Sequence, residues 1–236
     1  MYPARIAELL QPFLCATHPY SASANAGEES AVLTPAQLQR ISMYIDILLR
    51  WNARINLTAV RDEEEVVTRH FGESLFAARH LFPLAEQNSS CRLADLGSGA
   101  GFPGLPIKIW APSVVLTLIE SNHKKVAFLR EVSRALTMTG VDIQNIRAEA
   151  VPPAAFDVVT LRAVERFTVA LRIGSSLVAL GGRLALLIGD SQVENACSTL
   201  TAFAWDAPIR IPQARSRVLL VGRLEPALST SGTELA

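Results

Sequence analysis

From Arg92 onward, short apolar runs alternate with segments of helical period, and this alternation constrains the fold more tightly than anything else in the chain. The runs are Arg92–Leu96, Val114–Glu120, Ile143–Arg147, Phe156–Leu161 and Arg183–Ile188. Strands separated by helix-length connections lie parallel, because a crossover long enough to hold a helix is what returns the chain to the starting end of the sheet. Two more strand-like runs, Ala204–Ile211 and Arg217–Leu224, are joined by a short segment holding Pro212 and read as an antiparallel hairpin at the sheet edge. The expected fold is α/β: a doubly wound, mostly parallel, seven-stranded, Rossmann-like sheet.

Before Arg92 the pattern is helical. Thr34-Pro35 pairs a capping hydroxyl with a proline suited to a first turn, and Leu38, Ile41, Ile45, Leu48 and Leu49 follow at helical spacing. A second stretch, Asp62 to about Leu81, opens on four acids that the helix dipole favours. A short first helix is set off by a loop at His18–Leu33, rich in Ser, Ala, Asn and Gly. Residues 1–90 are therefore expected to form a helical extension packed on a core of residues 91–225, with 226–236 a disordered tail.

Ile6–Ala16 has some character of a secretory signal, but Glu8, Gln11 and Pro12 interrupt its apolar run. Cys15, Cys91 and Cys197 are far apart and lack C-x-x-C spacing, which argues against a disulfide framework or a thiolate zinc site. No apolar run reaches the roughly 18 residues of a membrane span. A cytoplasmic, monomeric protein without a metal is expected. With 22 basic and 22 acidic residues no global field draws it to a polyanion, so any such site is local.

Arg92–Leu96 reads as a strand, Gly97-Ser98-Gly99-Ala100-Gly101 as a loop without bulk, and Phe102-Pro103-Gly104-Leu105-Pro106 as the start of a helix, so backbone N–H groups can approach a ligand closely. The run Gly99 to Gly104 also fits the G-x-G-x-x-G pattern of nicotinamide dinucleotide binding. That register would place Asp95 and Gly97 inside the strand, where a buried carboxylate and a glycine are poor choices. With Gly97 opening the loop, Asp95 stands at the strand's exit. There it can orient the loop and attract the cationic amino-acid end of S-adenosyl-L-methionine, directly or through water.

Glu120 ends the next strand, where a carboxylate can accept both ribose hydroxyls of an adenosine; alternatively it is a surface acid beside Lys124. Ala148-Glu149 follow the third strand and would lie along an adenine, or else form a solvated loop. Arg162 leaves the fourth strand at the carboxyl edge. It can hold a guanine O6, a phosphate or the cofactor carboxylate, or pair with Glu165 or Glu149.

Asn56-Leu57-Thr58, Arg69–Leu75, Asp95–Pro106, Glu120-Ser121, Lys124-Lys125 and Leu161-Arg162-Ala163 together resemble the small-subunit ribosomal RNA guanine-N7 methyltransferases, also called glucose-inhibited division protein B. The run G-S-G-A-G-F-P-G-L-P is the most specific element, and the similarity extends from about Trp51 to Glu194. The resemblance implies a class I methyltransferase fold, S-adenosyl-L-methionine as cofactor and 16S ribosomal RNA or a ribosomal particle as partner. It implies cofactor contacts at Gly97, Phe102, Glu120, Ala148, Glu149 and Arg162, to which the reading of the loop and strand ends adds Asp95, Ser98, Gly99, Gly101 and Ser121. It also places Asn56, Thr58, His70 and Ser74 where the guanine enters. The chain departs from the family in having Glu73 where Asp is frequent, and Ile188-Gly189 where Lys-Gly is frequent.

Guanine N7 has a lone pair and no proton, so transfer needs alignment more than a general base. Asn56, His70 and Arg162 are accordingly expected to position the substrate, with plain packing as the alternative for His70. Lys124 and Lys125 in one basic segment, and Arg215 and Arg217 in the last hairpin, are candidates for phosphate contacts, unless they are ordinary solvated faces. The competing functions are a nicotinamide-dependent oxidoreductase and a noncatalytic RNA-binding or division-regulating protein.

Overall fold

The structure, a computed structural model, describes residues 1–15, 32–84, 90–163 and 166–225. Most of the loop expected at His18–Leu33 and the whole tail expected at 226–236 lie outside the described residues.

The chain opens with α1 (Pro3–Leu14) and α2 (Pro35–Asn52). α2 starts on a capping box: Thr34 Oγ1 accepts the Gln37 N–H at 3.2 Å and Gln37 Oε1 accepts the Thr34 N–H at 2.8 Å. Gln37 also donates to Ile109 O at 2.9 Å, so the cap fastens this helix to the core. The stretch expected as one helix from Asp62 changes pitch twice, through α3 (Glu63–Glu65), a π-helical segment (Val66–Gly72) and α4 (Glu73–Leu81). Asp62 caps its start by accepting the Glu65 N–H at 2.8 Å. Gly72 is required there, because a Cβ would lie 2.5 Å from the Phe13 ring. The apolar face of α1 (Ile6, Leu10, Phe13, Leu14) is thereby spent on the core. Each such side chain contributes about 1.5–3 kcal/mol as an upper bound.

The core alternates β1 (Arg92–Leu96), α5 (Gly104–Trp110), β2 (Val115–Ile119), α6 (His123–Ala135), β3 (Val141–Gln144), β4 (Phe156–Arg162), α7 (Phe167–Leu177), β5 (Val178–Gly189) and α8 (Val193–Thr199). It closes with β6 (Phe203–Trp205), β7 (Ile209–Arg210) and β8 (Arg217–Leu224). Strand order is β3-β2-β1-β4-β5-β8-β6, parallel up to β5, with β8 antiparallel between β5 and β6. Alternation along β5 divides the interior. Ala185 and Leu187 face the cluster shared with α5, α6 and the N-terminal helices, while Leu184, Leu186 and Ile188 face α7 and α8. The N-terminal helices thus share one continuous core with the sheet.

Three expectations need correction. The third strand begins and ends earlier than Ile143–Arg147, because Asn145 turns away to donate to Glu120 O and Ser121 O, both at 3.0 Å. The run Ala204–Ile211 is two short strands, since Pro208 supplies no ladder donor, so the sheet has eight strands among the described residues. The fifth strand is twice the expected length, beginning at Val178 and passing Gly181-Gly182 before its ladder with β8.

Candidate active site

The carboxyl ends of the parallel strands share one edge of the sheet with the start of β8, where Arg217 is in register with Gly189. Open α/β sheets bind ligands at this edge.

Asp95 lies inside the exit of β1, 1% exposed. Its Oδ1 accepts from Thr160 Oγ1 at 2.9 Å and its Oδ2 from the Gly104 N–H at 3.2 Å, so it braces β4 against the first turn of α5. Burial pushes its carboxyl up to about 6, against the pull of those hydrogen bonds. Enclosed in this way it has almost no exposed surface for the direct contact that was one of its two expected modes; its field on a cation remains. Ser98 is likewise buried, donating to Asp95 O at 2.8 Å.

The glycine loop differs from expectation in where its donors point. The N–H groups of Gly97 and Ser98 reach Ile119 O at 2.9 and 3.1 Å, that of Gly101 reaches Ser98 O at 2.6 Å, and that of Gly99 reaches Glu120 Oε2 at 3.0 Å. These amides hold the loop together rather than facing a ligand. What the loop supplies is room: Gly97, Gly99 and Gly101 all have positive φ. A Cβ on Gly99 would meet only Gly97 O at 3.7 Å, whereas one on Gly101 would strike Leu105 at 2.6 Å and the Tyr44 hydroxyl. Gly99 therefore borders open space and Gly101 is a packing position. Beyond it, Phe102 is stacked against Tyr44, with ring centroids 5.4 Å apart, and against His70 at 4.9 Å. Tyr44 fixes the loop further by donating its hydroxyl to Ala100 O.

Glu120 is buried, not a surface acid paired with Lys124. Its Oε1 accepts the Asn122 N–H at 2.8 Å and its Oε2 the Gly99 N–H. Each oxygen keeps a lone pair for one of two adjacent hydroxyls. Ser121 is exposed beside it, and Ala148 and Glu149 lie on a 3-10 turn (Ala148–Ala150) after β3, half-buried and exposed respectively. An adenosine fits this donor set: an open glycine wall, a buried diol acceptor and an accessible turn beyond it.

The other half of the site comes from the N-terminal helices. The π-helical segment presents Arg69 and His70, and such segments recur at functional sites. Arg162 does not pair with Glu149, and Glu165 lies outside the described residues. Instead its Nε and Nη2 donate to Glu73 Oε2 at 3.2 and 3.0 Å, and Nη2 also reaches Arg69 O at 2.9 Å and His70 Nδ1 at 3.0 Å. The pair is deeply buried, with side chains 9% and 3% exposed. Burial lowers the guanidinium from its usual range, and Glu73 beside it pushes back. Arg217 Nε lies 3.0 Å from Glu73 Oε1 as an ion pair without hydrogen-bond direction, and its Nη2 donates to Leu187 O at 3.2 Å.

His70 is buried, and burial followed by the charges of Arg162, Arg69 and Arg217 lowers its pKa to about 3. It is a neutral imidazole whose Nε2 lies 2.7 Å from Thr58 Oγ1. Thr58 is held by Asn52, which has no motif to announce it: Asn52 Oδ1 accepts the N–H groups of Leu57 and Thr58 at 2.9 and 3.0 Å, and Nδ2 donates to Thr58 O at 3.0 Å. Asn56 is not brought to His70; it is exposed on the same turn and accepts from Arg61 at 3.1 Å. Ser74 does not line an entrance either, because it is fully buried and donates to His70 O at 2.6 Å.

A cleft of about 430 Å³ opens beside the Glu73 cluster, bounded by Phe13, Arg69, Glu73, Arg215 and Arg217. Arg215 is exposed at its mouth and Arg217 half-buried within. Lys124, exposed, and Lys125, half-buried, start α6 four strands away, about 19 Å along the same edge at the usual strand spacing. Among the described residues no cluster of His, Cys, Asp or Glu could hold a metal, and no helix is long and apolar enough to cross a membrane.

A parallel sheet with a reversed penultimate strand, a glycine wall after β1 and a buried carboxylate after β2 are those of an S-adenosyl-L-methionine-dependent methyltransferase of the class I fold. Within that class the chain belongs to the family described as GidB, rRNA small subunit methyltransferase G, whose model matches residues 37–211. It is 37% identical over 201 residues to the ribosomal RNA small subunit methyltransferase G of Roseiflexus castenholzii, covering 80% of this chain and 84% of the relative. The namesake from Xanthomonas euvesicatoria is 39% identical over 170 residues, 72% of this chain and 77% of that one. Among solved structures, a predicted O-methyltransferase from Agrobacterium tumefaciens shares the fold with TM-score 0.55 at 19% identity, covering 66% of this chain and 81% of its own. A ribosomal protein L11 methylase from Lactobacillus delbrueckii does so with TM-score 0.55 at 14% identity, covering 67% and 79%.

Proposed function

We propose that this chain transfers a methyl group from S-adenosyl-L-methionine to N7 of a guanine in small-subunit ribosomal RNA. The observation that carries the choice of N7 is the state of His70: it is neutral, and both ring nitrogens are engaged, Nδ1 by Arg162 and Nε2 by Thr58. No side chain of this cluster is poised to take a proton, and N7 has none to give. Bound S-adenosyl-L-methionine supplies the methyl on a cationic sulfur.

The chain's own residues hold and align. Glu120 accepts the ribose hydroxyls, Ser121, Ala148 and Glu149 border the adenine, and the wall at Gly97–Phe102 leaves space for the methionine end, with Asp95 behind it. Glu73 fixes Arg162, Arg162 fixes His70, and His70 stacked on Phe102 ties the N-terminal helices to the loop. Arg162 in this reading positions its neighbours instead of touching the base, while Asn56 stands at the rim. Lys124, Lys125, Arg215 and Arg217 meet RNA phosphates at the two ends of the edge, and the enzyme acts on a small-subunit particle as a cytoplasmic monomer.

The test maps N7-methylguanosine on small-subunit RNA from cells with and without the gene, by reduction and strand scission at the modified base. One N7-methylguanosine should vanish with the gene and return when purified enzyme and S-adenosyl-L-methionine are added to the deficient subunits. An unchanged map, or a methyl group appearing on another atom, overturns the reading.

A further inference from the structure

The hydrogen bonds around His70 leave one proton without a partner, and we propose that it reads the base: the Thr58 hydroxyl donates to O6 of the target guanine and discriminates it from adenine. This rests on the guanine-N7 reading and adds the residue that recognises the base beside the attacked nitrogen.

Arginine has only donors, so the 3.0 Å contact of Arg162 Nη2 with His70 Nδ1 makes Nδ1 the acceptor. A neutral imidazole then carries its proton on Nε2 and donates it to Thr58 Oγ1 at 2.7 Å. The Val60 N–H donates to the same oxygen at 3.1 Å. A hydroxyl has two lone pairs and one proton. With both lone pairs occupied Thr58 can only donate, and among the described residues nothing accepts from it. The side chain is half-buried beside the ring that stacks on Phe102, at the end of the glycine loop.

A donor-only group at this place suits one base. N7 must stay free of hydrogen bonds to be methylated, and the neighbouring major-groove atom is an acceptor, O6, in guanine but an amine donor in adenine. Opposite adenine two donors would face each other and both lose a partner. The donor's neutrality fits as well. The purine gains positive charge as the methyl arrives, so a cation on O6 would oppose the step; Thr58 ends the chain Glu73, Arg162, His70 on an uncharged group.

The test is a double-mutant cycle between enzyme and substrate. Small subunits are reconstituted with RNA ligated to carry guanine or 2-aminopurine, which lacks O6, at the methylated position. Wild-type kcat/KM should fall about 10- to 100-fold from guanine to 2-aminopurine, and Thr58→Val should fall by a similar factor on guanine but lose little more on 2-aminopurine. Thr58→Ser should retain guanine activity within about threefold together with the full O6 dependence. Binding of S-adenosyl-L-methionine by calorimetry checks that the turn survives; if Val abolishes it, Thr58→Cys, a poor donor, carries the same cycle. Losses that multiply across the cycle, or a valine variant as active as wild type, overturn the assignment of Thr58 while leaving N7 methylation in place. Wild-type methylation at an atom other than N7 overturns both.

Discussion

Replacing Asp95 with asparagine should stabilise the protein at pH 8 and lose much of that advantage by pH 5. Burial raises the carboxyl from 3.8 to about 6. A group with a raised folded pKa favours the native state when protonated, so its contribution is full below 3.8 and is lost as pH rises through about 6. At pH 8 the native state therefore holds an ionised carboxylate at a cost of up to about 3 kcal/mol. Asparagine fits the same contacts. Its oxygen can accept the Gly104 N–H, and its amide can donate to Thr160 Oγ1, whose own proton then turns to Ala94 O, 3.3 Å away. Because the variant does not titrate there, the stability difference, variant minus wild type, should shrink by about 1.4 kcal/mol between pH 8 and pH 5. All other titrating groups cancel in that difference. Urea unfolding of both proteins at both pH values measures it, as a relative midpoint change of about 0.7 M for a slope near 2 kcal/mol/M. A difference that does not move with pH would show that Asp95 carries no burial penalty and refute the account of the β1 exit.

Four further outcomes are expected. His70 has a folded pKa of about 3, below its unfolded value of 6.5, so its stability contribution is present above 6.5 and lost as pH falls. Against His70→Gln, the wild type should lose about 2 kcal/mol between pH 8 and pH 5, while its methylation rate shows no ionisation limb near 6.5. Glu73→Ala leaves Arg162 buried beside Arg217 without a counter-charge and should cost about 3–5 kcal/mol in chemical denaturation; near-wild-type stability would contradict the observed pairing. Gly99→Ala should cost only about 1 kcal/mol yet weaken S-adenosyl-L-methionine binding more than tenfold by calorimetry, whereas Gly101→Ala should disrupt folding itself; equal effects would remove the distinction between wall and packing glycines. Lys124→Ala combined with Arg215→Ala should weaken small-subunit binding and flatten its salt dependence without altering cofactor affinity, as read in filter-binding and calorimetric titrations.

Legibility in the sequence follows the range of the interactions. Strands β1, β2, β4 and β8 stand within a residue of their apolar runs because burial by flanking helices is written into consecutive positions. β3 and the β6–β7 pair were displaced by single residues, Asn145 turning back to Glu120 and Ser121 and Pro208 interrupting a ladder. The glycine loop after β1 and the place of Glu120 at the exit of β2 were legible because loop conformation and strand ends are local matters. The partner of Arg162 was not: it is 89 residues away, and its recruitment depends on how the N-terminal helices dock on the sheet. The same docking decides that Asn56 stands outside the cluster while Thr58, two residues on, is drawn into it by Asn52. Glycines that looked alike in the loop also separate only in three dimensions, where Tyr44 and Leu105 fill the space over Gly101 and leave Gly99 open.

The charge arrangement of the site has a consistent logic. Methyl transfer to N7 creates no new net charge; it moves a positive charge from sulfur to the purine. A site for this step gains little from a strong field at the nitrogen and would be hindered by an uncompensated cation against the base. Of the three arginines whose charges act on His70, Arg162 and Arg217 share Glu73 and Arg69 pairs with Glu65 at 3.1 Å. His70, among them, is neutral chiefly because it is buried, and their charges add to that effect. Asp95 is buried behind the loop, where it accepts the Gly104 N–H, so in the proposed arrangement it would act on the methionine end through its field and put no carboxylate at the reacting atoms. If the guanine binds beside His70 as proposed, it meets a neutral imidazole and a neutral hydroxyl, and the available acceleration lies in holding a lone pair in line with the sulfur–carbon bond. Substitutions that loosen the stack of Tyr44, Phe102 and His70 should then reduce kcat at unchanged pH dependence, whereas loss of an outlying cation should appear in KM alone.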